Sequence, residues 1–453
     1  SEREAFRELI GQMRRHHDGS PVDPVWAEIY DRFQTKPDFR DRLETVENGL
    51  VYTNYPAELK VEHMDELYGK NLLLSVSKLE SYNRCPFAYF VKYGLGAQER
   101  REFILKTPDV GNLMHDVLDR FTKRIKQEDL DWKNITPDYT RKSVDELMDK
   151  ALEAMTNPIW TSSVRYSYLA KKIKRIIATS VDVIKDQIVR GDFEPLYTEI
   201  EFGRNAAIPA IVLDLDDDHR VSIEGRIDRV DVLREHDKNY IRIIDYKSGS
   251  RELSLEDIIH GLQMQLLVYL DVILRNSAKI LKGEAIPGAV LYFRVTRPTI
   301  ENGAQMSDGE LEENILKELR LKGLILEDAR VVRSMDHQMD EISLVIPAKI
   351  KAGEVTALGN QKNLIVSQDQ FDQLRDYNTQ LIKRVCTGLI GGDISITPVK
   401  KGEVAACTYC DYKSICQFDP SLKGNDYKKI KKLEPQEAWL IIDQGGVDHA
   451  KMD

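Results

Sequence analysis

The stretch that most constrains the fold is residues 225–249, GRIDRVDVLREHDKNYIRIIDYKSG. Two apolar runs, residues 223–233 and 240–246, flank the charged sequence REHDKN, and this pattern predicts an antiparallel hairpin inside a sheet. Because side chains alternate along a strand, Asp245 and Lys247 should share one face of that sheet. Asp228 lies on the paired strand, so we expect the hairpin to bring two carboxylates and an ammonium group together.

This group of charges has two interpretations. Carboxylates at the ends of neighbouring strands can hold a hard divalent cation, and an adjacent ammonium group can contact an anionic substrate, as in a phosphodiesterase. The alternative is a sheet edge with solvated charges, because a short D-x-K pattern often has no catalytic role. The choice between the two depends on the rest of the chain.

Length and composition indicate an ordinary soluble protein of two or three domains, with 453 residues, 42% hydrophobic and 31% charged. No apolar run is long enough to cross a bilayer, and the first residues lack a signal-peptide pattern, so we predict a cytoplasmic protein without membrane contact. The helical pattern is already in register at Ser1, which indicates a fragment of a longer chain.

The net charge of -10 argues against a surface that binds polyanions throughout. Contacts with nucleic acid would then come from local basic segments, and residues 171–175 and 428–432 are the candidates. The alternative for each segment is the solvated face of a helix.

Helical patterns dominate the first 194 residues. In the helix that follows Asp109, His115 lies off the apolar stripe and is either a surface residue or a ligand. Strand patterns follow, then a largely apolar helix over 255–275 and a strand over 288–295, which together imply a parallel crossover. Gln265 and Tyr269 share one face of that helix, where they would contact DNA, orient a water molecule or pair in the core.

Three further local predictions concern element ends. Ser77 is expected to be the N-cap of the helix before Pro86. A helix is expected over residues 310–322, and a glycine-spaced loop over residues 353–359.

The five cysteines are too few and too unevenly spaced for a disulfide framework. Cys407, Cys410 and Cys416 lie so close together that they predict a metal or cluster site. A fourth thiolate would come from Cys85 or Cys386, and a zinc ribbon is the alternative to an iron-sulfur cluster.

Six short segments occur in one order: CPF at Cys85, GNLMH at His115, GRIDRVD, DYKSG, QLLVY, and CTYC before Cys416. Together they closely resemble the motifs of the RecB-like branch of the PD-(D/E)XK nucleases, from Leu74 to Phe418. The resemblance implies an α/β fold, with a PD-(D/E)XK core of mixed sheet flanked by helices, helical additions and an iron-sulfur staple. The chain contains no G-x-x-x-x-G-K-[ST] phosphate loop, so we predict no ATPase activity in this stretch.

The resemblance also implies roles for individual residues. His115, Asp228 and Asp245 resemble the family's metal ligands, and Lys247 resembles its catalytic lysine. Gln265 and Tyr269 match its Q-x-x-x-Y pattern. The implied metal is Mg²⁺, and Mn²⁺ should also be accepted because a histidine is among the ligands.

Two positions stay open at this point. Gln263 is an alternative to Gln265. The family's upstream acid matches either Glu199 or Glu201.

The family further implies that Cys85, Cys407, Cys410 and Cys416 hold a [4Fe-4S] cluster. The predicted organisation is then a helical end of a preceding helicase-like region (1–70), a nuclease domain (71–400), and a cysteine segment with the C-terminal tail (401–453). That last segment would pack on the nuclease domain through Cys85.

The implied activity is that of a metal-dependent exodeoxyribonuclease. It would cleave single strands that a partner helicase produces at double-strand breaks, during end processing for recombination. The implied partners are DNA, as single strands and duplex ends, and a helicase-nuclease subunit in a heterodimer. The alternative is a non-catalytic scaffold that binds DNA ends within a helicase complex.

Overall fold

A computed structural model of the chain describes residues 1–52, 54, 59–98, 100, 105, 107–154, 160, 162–281, 283–301, 305–359, 364–422 and 424–445. Its centre is an eight-stranded mixed sheet with helices packed against it, and two small sheets lie outside this one. Within the described ranges, every helix is too short or too polar to span a membrane.

The described strands are β1 (Asn71–Ser75), β2 (Glu194–Phe202), β3 (Ile211–Asp214), β4 (Arg220–Glu235), β5 (Lys238–Lys247), β6 (Glu284–Arg294), β7 (Lys322–Leu326), β8 (Ala348–Lys351), β9 (Glu354–Ala357), β10 (Ile365–Val366), β11 (Val399–Lys401), β12 (Val404–Ala405) and β13 (Lys428–Ile430). The described α-helices are α1 (Glu2–His17), α2 (Val25–Gln34), α3 (Pro37–Val51), α4 (Val61–Tyr68), α5 (Val76–Arg84), α6 (Pro86–Tyr89), α7 (Thr107–Gln127), α8 (Pro137–Ala154), α9 (Val164–Val189), α10 (Leu255–Ile259), α11 (Gln265–Arg275), α12 (Ser277–Ile280), α13 (Asp308–Glu318), α14 (Ala329–Met335), α15 (Gln368–Ile390), α16 (Lys413–Cys416) and α17 (Pro435–Asp443).

Helices α1 to α3 pack around a hydrophobic cluster of their own. Phe6, Phe33 and Phe39 form its centre, with ring centroids 4.8 to 5.1 Å apart. Met64 of α4 is instead buried in the main core, together with the residues of the central sheet. The chain therefore passes from one core to the other between α3 and α4.

Strand β4 organises the central sheet because it is long enough to pair with four neighbours. Its first residues pair with β1 in parallel and with β3 antiparallel, and its later residues pair antiparallel with β2 and β5. The predicted hairpin is confirmed, with Glu235 of β4 opposite Lys238 of β5. Both strands extend further than predicted, so the turn contains only His236 and Asp237.

The predicted parallel pairing of β5 and β6 is confirmed, but the single helix over 255–275 is wrong. Helix α10 ends at Ile259 and α11 begins at Gln265. Between them Gly261 has a φ of 67°, and a Cβ there would lie 2.2 Å from Nδ2 of Asn83. The glycine thus lets the chain turn closely against Asn83, whose amide donates to the Gly261 carbonyl at 2.9 Å.

The three local predictions need correction. Ser75, rather than Ser77, provides the N-cap of α5. Helix α13 ends at Glu318 and not at Lys322, because the buried residues that follow it pair with β6 as strand β7. The glycine-spaced segment is the hairpin β8–β9, with Gly353 in its turn.

Candidate active site

Three carboxylates lie in one row across three neighbouring strands. Ile244 of β5 pairs with Arg229 of β4, so Asp245 lies opposite Asp228. The register between β2 and β4 places Glu199 on the other side of Asp228. The hairpin therefore brings the two predicted aspartates together and adds a glutamate from a third strand.

His115 of α7 reaches this row from outside the sheet. Its Nδ1 lies 3.5 Å from Oε1 of Glu199 and 3.4 Å from Oδ2 of Asp228. Its Nε2 lies 3.0 Å from the carbonyl oxygen of Tyr246, and since a carbonyl only accepts, Nε2–H is the donor. This bond fixes the ring and directs Nδ1 at the carboxylates, which is how proteins orient a histidine toward a metal ion.

Of the residues that the structure describes, His115, Glu199 and Asp228 are the one set of potential metal ligands whose atoms all lie within 4.8 Å of one another. Burial acts to lower the pKa of His115, but its contacts with Asp228 and Glu199 outweigh that effect and raise the pKa to about 10. The acids therefore attract positive charge into the site. Oε1 of Glu199 and both carboxylate oxygens of Asp245 are buried without a hydrogen-bond donor among the described residues, which suits a divalent cation.

The backbone of Glu199 distinguishes it from Glu201. Glu199 has a φ of 47°, an uncommon value for a non-glycine residue, and such strain is often found at functional sites. Glu201 is exposed and pairs with Arg226 at 2.6 Å. The structure therefore places Glu199, and not Glu201, beside His115.

Asp245 and Lys247 form the second part of the site. Nζ of Lys247 lies 2.5 Å from Oδ2 of Asp245 and donates to Oε1 of Gln265 at 3.1 Å. Gln265 in turn donates to the Tyr269 hydroxyl at 2.8 Å. Burial and the nearby charge of Asp228 raise the pKa of Asp245 to about 7, although Lys247 acts in the opposite direction.

Gln263, the alternative to Gln265, lies elsewhere. Its side chain accepts from the backbone N–H of Ser254 at 3.0 Å and donates to the carbonyl of Glu252 at 2.8 Å. Gln263 thus fastens the loop before α10, whereas Gln265 contacts Lys247.

Sequence reasoning missed Glu80 of α5, which is only 5% exposed. Its Oε1 accepts from the backbone N–H groups of Met264 and Gln265, at 2.9 and 3.3 Å, and so caps the start of α11. Its Oε2 lies 3.3 Å from a guanidinium nitrogen of Arg251. The available signal was an acid four residues after the buried Val76, on the apolar side of the helix.

The other charges of the GRIDRVD segment have a structural role. Arg229 and Arg242 both donate to Asp231, at distances of 2.6 to 3.0 Å, and the three residues are at most 2% exposed. A fully paired buried cluster of this kind is strongly destabilised when one partner is removed. It fastens β4 to β5 at the strands that carry Asp228 and Asp245.

Cys85, Cys407, Cys410 and Cys416 all line one pocket of about 430 Å³. Cys386, the alternative fourth ligand, is fully buried in the main core, away from this pocket.

Burial raises the pKa of Cys85 to about 11 and also raises the pKa of Cys407 and of Cys410. Without a bound group these thiols are protonated, so a metal or cluster would displace their protons on binding.

The fold and the site define the class of protein. The chain belongs to the PD-(D/E)XK nuclease superfamily, whose family model matches residues 73–417. This match confirms the predicted fold class and the resemblance on which it was based.

The particular relatives all come from one kind of bacterial enzyme. Residues 1–49 match the model for the fifth domain of the ATP-dependent helicase/deoxyribonuclease AddB. The chain is 40% identical over 445 residues to an ATP-dependent helicase/deoxyribonuclease subunit from Clostridium perfringens strain SM101, and this match covers 97% of the chain and 38% of the relative. The corresponding proteins from Clostridium novyi and Acetivibrio thermocellus are 37% and 36% identical, over 441 and 440 residues. They too match 97% of this chain, which spans 38% of their length.

Proposed function

We propose that this chain is a DNA nuclease that cleaves single strands produced by a partner helicase, during the processing of double-strand breaks for recombination. The observation that supports this most strongly is the meeting of His115, Glu199 and Asp228 beside Asp245 and Lys247. A charged sheet edge would leave these groups solvated, whereas Asp245 is 1% and Asp228 7% exposed.

The proposed metal is Mg²⁺, with Mn²⁺ accepted as well because an imidazole is present. His115, Asp228 and Asp245 would hold it, and Glu199 supplies the additional acid. When bound, the ion would polarise the scissile phosphate and lower the pKa of a bound water. The buried oxygens of Glu199 and Asp245 support this assignment because they lack other partners among the described residues.

The remaining roles belong to residues next to these acids. Lys247 places a positive charge where negative charge develops on the phosphate, and its contact with Asp245 fixes the ammonium group. Gln265 accepts from Lys247, and Tyr269 accepts from Gln265. We therefore assign Gln265 and Tyr269 to orienting the lysine.

We further propose that Cys85, Cys407, Cys410 and Cys416 hold a [4Fe-4S] cluster with a structural role. A tetrahedral zinc site would place its thiolates about 3.8 Å apart, given a Zn–S distance of about 2.3 Å. No three cysteines of the described chain lie within 4.8 Å of one another, although all four line one pocket. That spacing supports a group larger than a single ion.

The partners are proposed from the names of the relatives, which are subunits of an ATP-dependent helicase/deoxyribonuclease. We propose a heterodimer with an AddA-like helicase-nuclease protein, located in the cytoplasm and acting on single strands and duplex ends. Residues 1–70 would belong to the preceding region, residues 71–400 to the nuclease, and residues 401–453 to the cysteine segment.

The deciding experiment uses the purified chain and end-labelled single-stranded DNA, with Mg²⁺, with Mn²⁺ and with EDTA. We expect release of label only with metal. Binding without cleavage under every metal condition would contradict the proposal and identify a non-catalytic scaffold. Processive degradation of long duplex DNA by the chain alone would contradict the need for a helicase partner.

A further inference from the structure

The first half of helix α9 is unusual in this acidic chain. The chain has 75 acidic residues, yet none occurs in residues 154–181. Over that stretch Arg165, Lys171, Lys172 and Arg175 are all exposed. Together with Tyr168 between them, they recur every three or four residues, which places them along one side of the helix.

These cations lack acidic partners within the described part of the chain, although Lys174 beside them pairs with Asp145 and Asp149 of α8. Two apolar side chains on the same side are also strongly exposed, Val164 at 88% and Tyr168 at 66%. We call this surface the α9 stripe, and it comprises Val164, Arg165, Tyr168, Lys171, Lys172 and Arg175.

Helix packing places the α9 stripe at the same end of the helical layer as the active site. Helix α8 runs antiparallel to α7, because Tyr139 near its start donates to Glu128, just after the end of α7. Helix α9 runs antiparallel to α8, because Asp182 lies near Thr140 while Lys174 pairs with Asp149. Helices α7 and α9 therefore point the same way, and their first turns lie together.

His115 lies in the first half of α7, as the α9 stripe lies in the first half of α9. Between residues Val164 and Arg175 the helix rises by about 16 Å, which is long enough to follow several phosphates. The α9 stripe thus offers a row of positive charge on the side of the molecule from which His115 reaches the carboxylates.

We propose that the α9 stripe binds the single-stranded DNA that enters or leaves the active site. Arg165, Lys171, Lys172 and Arg175 contact phosphates, and Tyr168 stacks on a base. Grooves for single strands combine these two elements, a track of cations and an exposed aromatic ring. A protein partner fits less well, because lysine is depleted at protein interfaces. This inference rests on the proposed nuclease function.

The test measures binding of a fluorescein-labelled deoxyoligonucleotide by anisotropy, in EDTA, at several salt concentrations. The variant is Lys171→Gln with Arg175→Gln. If two phosphate contacts are lost, the slope of log K against log salt should fall by about 1.4, from about 0.7 per contact. The control is Lys238→Gln with Lys351→Gln, two exposed cations on other elements, which should leave the slope unchanged.

Tyr168 is tested separately. Tyr168→Ala should weaken binding by about fivefold or more, while Tyr168→Phe keeps the ring and should bind as the original chain does. All the substituted residues are exposed, so thermal melting should be unchanged and confirms that the variants fold.

An unchanged salt slope in the Lys171→Gln, Arg175→Gln variant overturns the proposal, and so does an equal fall in the control. Unchanged DNA affinity combined with lost binding to the helicase partner would overturn it in favour of a protein interface. If the original chain cuts no DNA but the variant still binds it with a lower slope, the nuclease proposal fails and the DNA-binding surface stands.

Discussion

The active site and the cysteine pocket both gather potential ligands, but the protein holds them differently. In the active site, the backbone fixes the ligands: Asp228 accepts from the N–H of Tyr246 at 2.7 Å, and His115 donates to the carbonyl of the same residue. In the pocket, Cys85 lies between α5 and α6, and its partners lie in a segment more than 300 residues later in the chain.

This difference has a consequence for stability. The fold forms the active site without a metal ion, and it brings the like charges of Asp228 and Asp245 together at a cost. The pocket has few contacts of its own that could join its two distant segments, so a bound group would join them. Loss of a ligand should therefore affect activity in the first region and stability in the second.

The largest expected effect is on cleavage. Asp245→Asn and Lys247→Ala should each slow cleavage of single-stranded DNA by about 1,000-fold or more, because each removes charge at the reacting phosphate. DNA binding should stay close to normal, because most phosphate contacts lie outside the site. Gel assays of cleavage and anisotropy measurements of binding check the two parts. Undiminished cutting by either variant would exclude these residues from catalysis.

The same variant tests the cost of the site. Because the folded pKa of Asp245 is raised to about 7, its ionised form is disfavoured in the folded, metal-free protein. That penalty grows as the pH rises from about 4, the unfolded value, to about 7 and is constant above. In EDTA, Asp245→Asn should therefore match the original chain in melting temperature near the lower pH and exceed it near the upper one. A lower melting temperature throughout would mean that Asp245 stabilises the fold.

The hairpin residues of the site could be predicted because strand alternation alone determines which side chains share a face. Asp228, Asp245 and Lys247 follow from that rule. The choice between Glu199 and Glu201 could not be made, because both have the same strand parity and only the φ of 47° at Glu199 separates them. His115 could not be placed by periodicity either, since it lies off the apolar stripe of its helix.

The second expected effect concerns the pocket. Cys85→Ser should yield protein without iron and without the brown colour of an anaerobically prepared cluster, and should melt at least about 5 °C lower. Closing a loop of this length costs an unlinked chain about 5 kcal/mol, which the cluster would offset. Iron analysis, absorbance near about 400 nm and thermal melting provide the measurements.

Cys386→Ala is the matched control, because Cys386 is buried in the main core and lies outside the pocket. Alanine avoids the unpaired hydroxyl that serine would bury there. This variant should keep both iron and colour. Stoichiometric zinc in place of iron, or iron retained by Cys85→Ser, would contradict the cluster or its fourth ligand.

The third effect concerns Glu80, which connects the two regions. It belongs to the same helix that ends at Cys85, and it caps α11, where Gln265 holds Lys247. Glu80→Ala should lower kcat for cleavage by about tenfold with little change in KM, because the lysine is less well positioned. Glu80→Gln should recover most of the rate, since its amide oxygen can still accept from Met264.

A merely structural role for Glu80 would give a different result. Both variants would then lose stability without changing kcat in the remaining folded protein. Measuring kcat at several temperatures below melting separates the two cases. The residue itself was not predicted because its partners lie more than 180 residues away, beyond the break at Gly261 that interrupts the expected helix.

The smallest effect distinguishes the two glutamines and the tyrosine. Gln265→Ala should slow cleavage by about tenfold, and Tyr269→Phe by only about threefold, because the tyrosine acts on the lysine through Gln265. Gln263→Ala should leave kcat unchanged but lower the melting temperature, since it removes two backbone contacts from the loop before α10. Double substitution of Gln265 and Tyr269 should be no slower than Gln265→Ala alone, because the two act in series. Additive losses in the double variant would show that Tyr269 contacts the substrate directly.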